Sequence, residues 1–147
     1  MYSKMTLKIK MQKIADVPTP NYAHKGDSGV DLYSTEDYIL KPLERKLIPT
    51  GLKLEIPYGY EGQVRPKSGL ALNHGLSHAN SVGTIDSSYR GEIKVPLINL
   101  GNEPYKVEKG KKIGQLVFAK VEEALFEEVK ELEETTRNES GFGSTGF

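Results

Sequence analysis

Gly83-Thr84-Ile85-Asp86-Ser87-Ser88-Tyr89-Arg90-Gly91-Glu92 sets one carboxylate and one aromatic ring in a tight turn between two extended runs. Asp86 follows the apolar Ile85 and precedes two small polar residues, and Gly91 reopens the chain into the alternating run Ile93, Val95, Leu97. Alternation on either side of a polar, glycine-marked turn predicts a β-hairpin with an acid and a ring at its tip. The same period of two recurs outward from this segment. Met5, Leu7, Ile9 and Met11 alternate with polar residues, as do Leu52, Leu54 and Ile56 between Pro49 and Pro57. Residues 30–34, 60–65, 93–97 and 113–121 are further candidate strands. The 15 Gly and 8 Pro fall mostly between these runs. Many short strands so punctuated predict an all-β sandwich or barrel.

Two segments read as helix. Residues 68–75, Ser68-Gly-Leu-Ala-Leu-Asn-His-Gly75, offer a capping Ser68 and a terminating Gly75. In 123–134, Leu125, Val129 and Leu132 are four and three apart with no Gly or Pro, which is helical spacing. From Thr135 onward the chain is too polar and Gly-rich to make core and reads as a mobile tail. No internal repeat or domain boundary interrupts the rest.

The 147 residues fit one domain, of which a lone chain would cover only about two-thirds of its unfolded surface. Twenty basic and twenty acidic residues cancel. No long-range field for duplex nucleic acid or an anionic membrane is expected, while a local phosphate site needs only a few donors. With no cysteine, disulfides, thiolate catalysis and cysteine metal sites are excluded. There is no apolar run of membrane-spanning length, and the N-terminus lacks a signal peptide's apolar stretch. A soluble, intracellular protein is expected.

Asp86, ionised at neutral pH, can take a proton from water, but it is a weak base and needs a metal or strong positioning beside it. A turn aspartate bonding its own backbone is the more common reason for such a residue. Asp27-Ser28-Gly29-Val30-Asp31 pairs two acids that suit magnesium or a sugar hydroxyl, or form a polar turn. Arg65-Pro66-Lys67-Ser68-Gly69 sets a cation, a hydroxyl and backbone N–H groups at a helix start, either a phosphate cradle or an ordinary helix entry. It lacks the spacing of a Walker loop. Gln115 interrupts an apolar strand and is expected to face something polar. In the tail, Arg137, Ser144 and Thr145 could donate to phosphate and Phe142 could stack on a base, with glycines allowing close approach. His74 and His78 are four apart, but Gly75 breaks the helix between them, so a zinc pair is not favoured.

Five segments, in order and with fitting spacing over nearly the whole chain, resemble the motifs of the trimeric dUTPase family. They are Asp27-Ser-Gly-Val-Asp-Leu-Tyr-Ser34, Arg65-Pro-Lys-Ser-Gly-Leu-Ala71, Gly83 to Glu92 led in by Asn80, Gly110-Lys-Lys-Ile-Gly-Gln-Leu116, and Arg137 to Gly146. The resemblance implies a distorted jelly-roll β-barrel (a β-clip) over 1–136 with one short helix, and a flexible arm over 137–147 closing on the active site. For 123–134 it implies a strand followed by extended chain, against the helical spacing. It implies a homotrimer with shared active sites that hydrolyses dUTP to dUMP and pyrophosphate with Mg2+. That reaction would limit uracil in DNA and supply dUMP for dTTP synthesis.

Carried over by position, Asp86 would activate the attacking water and Tyr89 would pack under the deoxyribose. Asn80 and the backbone of Gly83, Thr84 and Ile85 would read the uracil edge. Lys67, Ser68, Gly69 and Gln115 would hold phosphates. Asp31 would support Mg2+ indirectly, through water, the ion being held mainly by the substrate phosphates. Arg137, Gly143, Ser144 and Thr145 would close on the phosphates, with Phe142 over the uracil. Lys67 and Lys112 stand where the family commonly has arginine, Gly114 where it has alanine, and Asn138 and Ser140 where it has glycine. These departures bear on rate and affinity; lysine keeps the charge but not the bidentate fork. A dCTP deaminase-related enzyme would need a catalytic glutamate instead. A nucleotide-sensing regulatory protein would need neither Asp86 nor a closing tail.

Overall fold

A computed structural model describes residues 6–146. Ten strands and one helix follow in the order β1 (Lys10–Lys13), β2 (Val30–Tyr33), β3 (Tyr38–Leu40), β4 (Arg45–Glu55), β5 (Tyr60–Arg65), α1 (Ser68–His74), β6 (Leu76–His78), β7 (Gly83–Ile85), β8 (Glu92–Asn99), β9 (Tyr105–Val107) and β10 (Lys112–Lys120). They form two four-stranded sheets, β1-β4-β8-β6 and β2-β10-β5-β7, and a β3-β9 ribbon. Every pairing is antiparallel. The all-β jelly-roll expectation holds. Of the alternating set at the N-terminus, Met5 lies outside the described residues. No described helix is long and apolar enough to cross a membrane.

The period of two decides what is buried. Ile93, Val95 and Leu97 of β8 point inward with Ile48, Leu52 and Leu54 of β4, and meet Leu32, Val64, Ile113 and Leu116 from the second sheet. Each such side chain contributes roughly 1.5–3 kcal/mol of burial, so the two-sheet sandwich is set by alternation rather than by any one contact.

Three local expectations are corrected. Pro49 does not bound β4: the strand starts at Arg45 and runs through it, with a register irregularity between Pro49 and Lys53 that accommodates the missing N–H. The segment around Asp86 is not a paired hairpin. β7 pairs with β5 and β8 with β4 and β6, so its two arms lie in different sheets and the turn is a corner between them. Residues 123–134 form no helix and stay exposed. The spacing there is helical, but no surface among the described residues covers Leu125, Phe126 or Leu132. Glu123, Glu127 and Glu131 would also repel at i,i+4, and an isolated twelve-residue helix is marginal. Of the strand followed by extended chain that the resemblance implied, the strand does not form either: the last strand ends at Lys120.

Helix α1 occupies the expected place with a different start. Lys67, not Ser68, holds the cap position and makes no side-chain cap bond. Gly75 ends the helix in the left-handed conformation, its N–H on the Ala71 carbonyl. A Cβ there would meet the Gly101 backbone nitrogen at 2.6 Å, so glycine is required twice over.

Candidate active site

Two clusters emerge, one at the corner and one where β2, β10 and the start of α1 meet. At the corner, the Tyr89 N–H donates to the Asp86 carbonyl at 3.1 Å. Arg90 Nη1 donates to the Ser87 carbonyl at 2.7 Å. The Tyr89 hydroxyl donates to the Glu92 carbonyl at 2.9 Å, which pins the ring. Any Cβ on Gly91 would strike the Tyr89 phenol, so Gly91 is what lets the ring fold back. Thr84, Ile85, Asp86 and Tyr89 line a cleft of about 270 Å³ with Leu47, Glu92 and Lys94. Asn80 leans over the backbone: its Nδ2 lies 3.2 Å from where a Cβ on Gly83 would sit. The corner thus offers a fixed ring, fixed backbone groups and an exposed carboxylate.

In the second cluster, Asp31 is the register partner of Gln115, and Gln115 that of Arg65. Lys67 Nζ donates to Asp31 Oδ1 at 2.7 Å and Lys112 Nζ lies 3.2 Å from Oδ2. Burial pulls the Asp31 carboxyl upward, but the hydrogen bonds and charges of the two lysines outweigh it and hold the group below 3.8. The same contact raises the Lys112 ammonium. Gln115 Nε2 donates to the Pro66 carbonyl at 3.0 Å. A Cβ on Gly29 would come within 2.7 Å of Gln115 Oε1, so Gly29 is the room in which that amide lies. Gly69 faces open space and Ser68 is exposed. Asp27 is elsewhere engaged, accepting the His24 N–H at 2.9 Å, so the two acids of that motif do not act as a pair.

One chain does not bring the clusters together. Ile85 pairs with Gly62 while Gln115 pairs with Arg65, which places Asp86 about 13 Å along the strand from the Gln115 row. Val121, Glu122 and Glu123 run beside the corner and line a second cleft with Asp86, Ser87 and Ser88. Farther on, the hydrogen bonds of residues 135–146 are local, such as Arg137 Nε to the Ser140 carbonyl at 2.8 Å. Phe142 is fully exposed. Phe147 lies outside the described residues.

The donor set suits an ion that arrives on a polyphosphate. Both Asp31 oxygens face ammonium groups, and among the described residues no three His, Asp or Glu side chains form a metal cage. Magnesium keeps several waters and takes one or two carboxylates plus substrate phosphates.

Sequence reasoning missed Lys112 as the second partner of Asp31, the Pro66 carbonyl as the anchor of Gln115, and Leu47 and Lys94 in the corner cleft. Only Gly29 carried a signal, a glycine at the mouth of a strand. Sequence reasoning weighed His78 only as half of a zinc pair with His74. The His78 side chain is 4% exposed, with Nε2 2.9 Å from the Ile113 carbonyl and Nδ1 buried without a partner. Burial pushes its imidazole below 6.5, opposed in part by the backbone of Ile113 and Val64.

A sequence model of the dUTPase family matches residues 15–146. The deoxyuridine 5'-triphosphate nucleotidohydrolase of Clostridium kluyveri is 58% identical over 127 residues, covering 86% of this chain and 89% of that protein. The dUTPase of Staphylococcus bacteriophage 80alpha, solved with dUPNHPP, superposes with a TM-score of 0.90 at 27% identity, covering 97% of this chain and 100% of that one. A mutant dUTPase of phage phi11 of S. aureus, solved with a structural Mg(II) ion, shares the fold with a TM-score of 0.79. It is 23% identical, covering 84% of this chain and 97% of that one.

Proposed function

The chain belongs to the dUTPase family, and we infer from that membership and from its two clusters that it hydrolyses dUTP to dUMP and pyrophosphate. The observation that carries the mechanism is the division of labour just described. The corner holds the groups suited to a nucleoside and a water; the β2–β10–α1 cluster holds those suited to phosphates. The separation of about 13 Å along the strand supports a site completed by another copy of the chain, in a homotrimer with shared active sites.

Uracil sits against the corner, its edge read by Asn80 and by the backbone of Gly83, Thr84 and Ile85. A site that hydrogen-bonds one base edge rejects the wrong edge strongly, because its own polar groups are then left unpaired. Tyr89 packs under the deoxyribose; its hydroxyl is spent on Glu92, so the ring acts by shape, closing the space a 2′-hydroxyl would need. Asp86 orients a water and accepts its proton as the oxygen attacks the α-phosphorus. The bond to the bridging oxygen breaks, and pyrophosphate leaves.

Negative charge on the triphosphate is met by Lys67, Ser68, Gly69 and Gln115. Bound magnesium supplies charge neutralisation across the phosphates, with Asp31 reaching it through water. The arm over 137–147 closes with Arg137, Gly143, Ser144 and Thr145 on the phosphates and Phe142 over the base, excluding bulk water. Neither the deaminase-related nor the regulatory alternative is favoured, since the matched family and the Clostridium kluyveri relative are nucleotidohydrolases. Product analysis with dUTP, dCTP, dTTP and UTP, with and without Mg2+, tests the reading. dUMP and pyrophosphate from dUTP alone are expected, and tight dUTP binding without turnover would overturn it.

A further inference from the structure

Strand β10 carries a bulge at the point where the phosphate cluster is aimed. Lys112 is paired with Tyr33 and Gly114 with Leu32, so Ile113 has no register partner on β2, and pairing with β5 begins only at Gln115. A buried carbonyl at such a position needs a donor from elsewhere. It receives one from the opposite sheet. His78, at the end of β6, reaches across and places Nε2 2.9 Å from the Ile113 oxygen. A carbonyl can only accept, so Nε2 carries the proton; Nδ1 is then the bare nitrogen, buried and unpartnered.

The fit is tight on the next residue. A Cβ on Gly114 would meet His78 Cε1 at 2.8 Å and Nε2 at 3.2 Å, so a glycine at 114 and an imidazole at 78 go together. On one side of the bulge, Lys112 points to Asp31; on the other, Gln115 points to the Pro66 carbonyl. The strand that holds the ring leads two residues later into Asn80 of the corner.

We propose that His78 is a positioning residue for the phosphate cluster: its Nε2–H on the Ile113 carbonyl fixes the β10 bulge and with it the aim of Lys112 and Gln115. This rests on the dUTPase reading for its substrate, but not for its geometry. His78 touches neither substrate nor reacting atoms and acts only through the bulge.

The test compares His78→Leu, His78→Gln and Gly114→Ala with the unaltered chain. Readouts are steady-state dUTP hydrolysis and calorimetric binding of inorganic pyrophosphate, which reports the phosphate cluster without turnover. Leaving the Ile113 carbonyl unpaired in His78→Leu should raise KM for dUTP about tenfold and weaken pyrophosphate by a similar factor, with kcat changed far less. His78→Gln, whose amide can donate from nearly the same place, should recover most of the loss. Gly114→Ala, which presses on the ring and removes nothing, should reproduce the KM effect. The double variant His78→Leu/Gly114→Ala should lose less than the product of the singles, since the clash partner is gone. Wild-type KM and pyrophosphate affinity in His78→Leu, or equal losses in the Leu and Gln variants, would overturn the proposal. Inactivity of the unaltered chain on dUTP would instead count against the dUTPase reading, and pyrophosphate binding would still decide the role of His78.

Discussion

The barrel and the arm hold candidate site residues in opposite ways. In the barrel's phosphate cluster the ties are long in sequence: Lys67 to Asp31 spans 36 residues, Gln115 to Pro66 spans 49 and His78 to Ile113 spans 35. In the arm the ties span two or three residues, as between Thr135 and Asn138 or Arg137 and Ser140. A group fixed by distant partners is preorganised before substrate arrives, and its ordering cost is met by the fold. A group fixed only to its neighbours acquires its working geometry when another surface meets it, and it draws that ordering cost from binding. The barrel should therefore carry affinity and chemistry by itself, and the arm should add closure.

The largest effect is expected at the corner, whose hydrogen bonds also span three residues but whose two arms are fixed by pairing in different sheets. Asp86→Asn keeps shape and turn but removes the proton acceptor. kcat should fall by about 10²–10⁴, with dUTP binding by calorimetry nearly unchanged. Unaltered turnover would remove Asp86 from the chemistry and leave it a turn residue.

Truncation after Thr136 probes the other region. Loss of closure should lower kcat/KM by about a hundredfold, while the melting temperature and the sedimentation mass stay those of the full chain. Collapse of the fold or of the assembly would mean that the arm is structural, and the division between barrel and arm would fail.

The same contrast explains what could be read in advance. Alternation around Ile93, Val95 and Leu97 exposes a strand because burial acts residue by residue along one segment. The motif residues Lys67 and Gln115 could be named because their segments resemble family motifs. What could not be read is which segments meet. Nothing local tells that β7 and β8 part into different sheets, since a corner and a hairpin have the same turn chemistry. Nor does any local pattern tell that Lys112 would share Asp31 with Lys67. The spacing of Leu125, Val129 and Leu132 misled because a helical period stabilises a helix only where a surface exists to cover its apolar face. Among the described residues none does.

Asp31 offers a finer probe of preorganisation. Its carboxyl is held below 3.8 by Lys67 and Lys112 against the pull of burial. A depressed acid contributes stability that is present above the unfolded value and is lost as pH falls through the folded one. Acid unfolding should therefore carry this component below pH 3.8. In Lys112→Met one lowering partner is gone, the folded value rises toward the unfolded one, and part of that component should disappear. An acid-unfolding curve identical to that of the unaltered chain would mean that the Lys112 contact is not made in solution.

The smallest effect expected is at His78, where the sign is set by a base rather than an acid. Burial holds its imidazole below 6.5 in the folded chain, only partly opposed by the backbone of Ile113 and Val64. Below pH 6.5 the unfolded chain then binds more protons than the folded one, so stability rises with pH through this range. The contribution is complete above 6.5 and is lost as pH falls from there to the folded value. His78→Gln should flatten the dependence of the melting temperature on pH just below 6.5 without disturbing the acid limb that belongs to Asp31. A slope that survives in His78→Gln would mean that the ring is not kept neutral between the sheets. The polar tie between β6 and the β10 bulge would then fail.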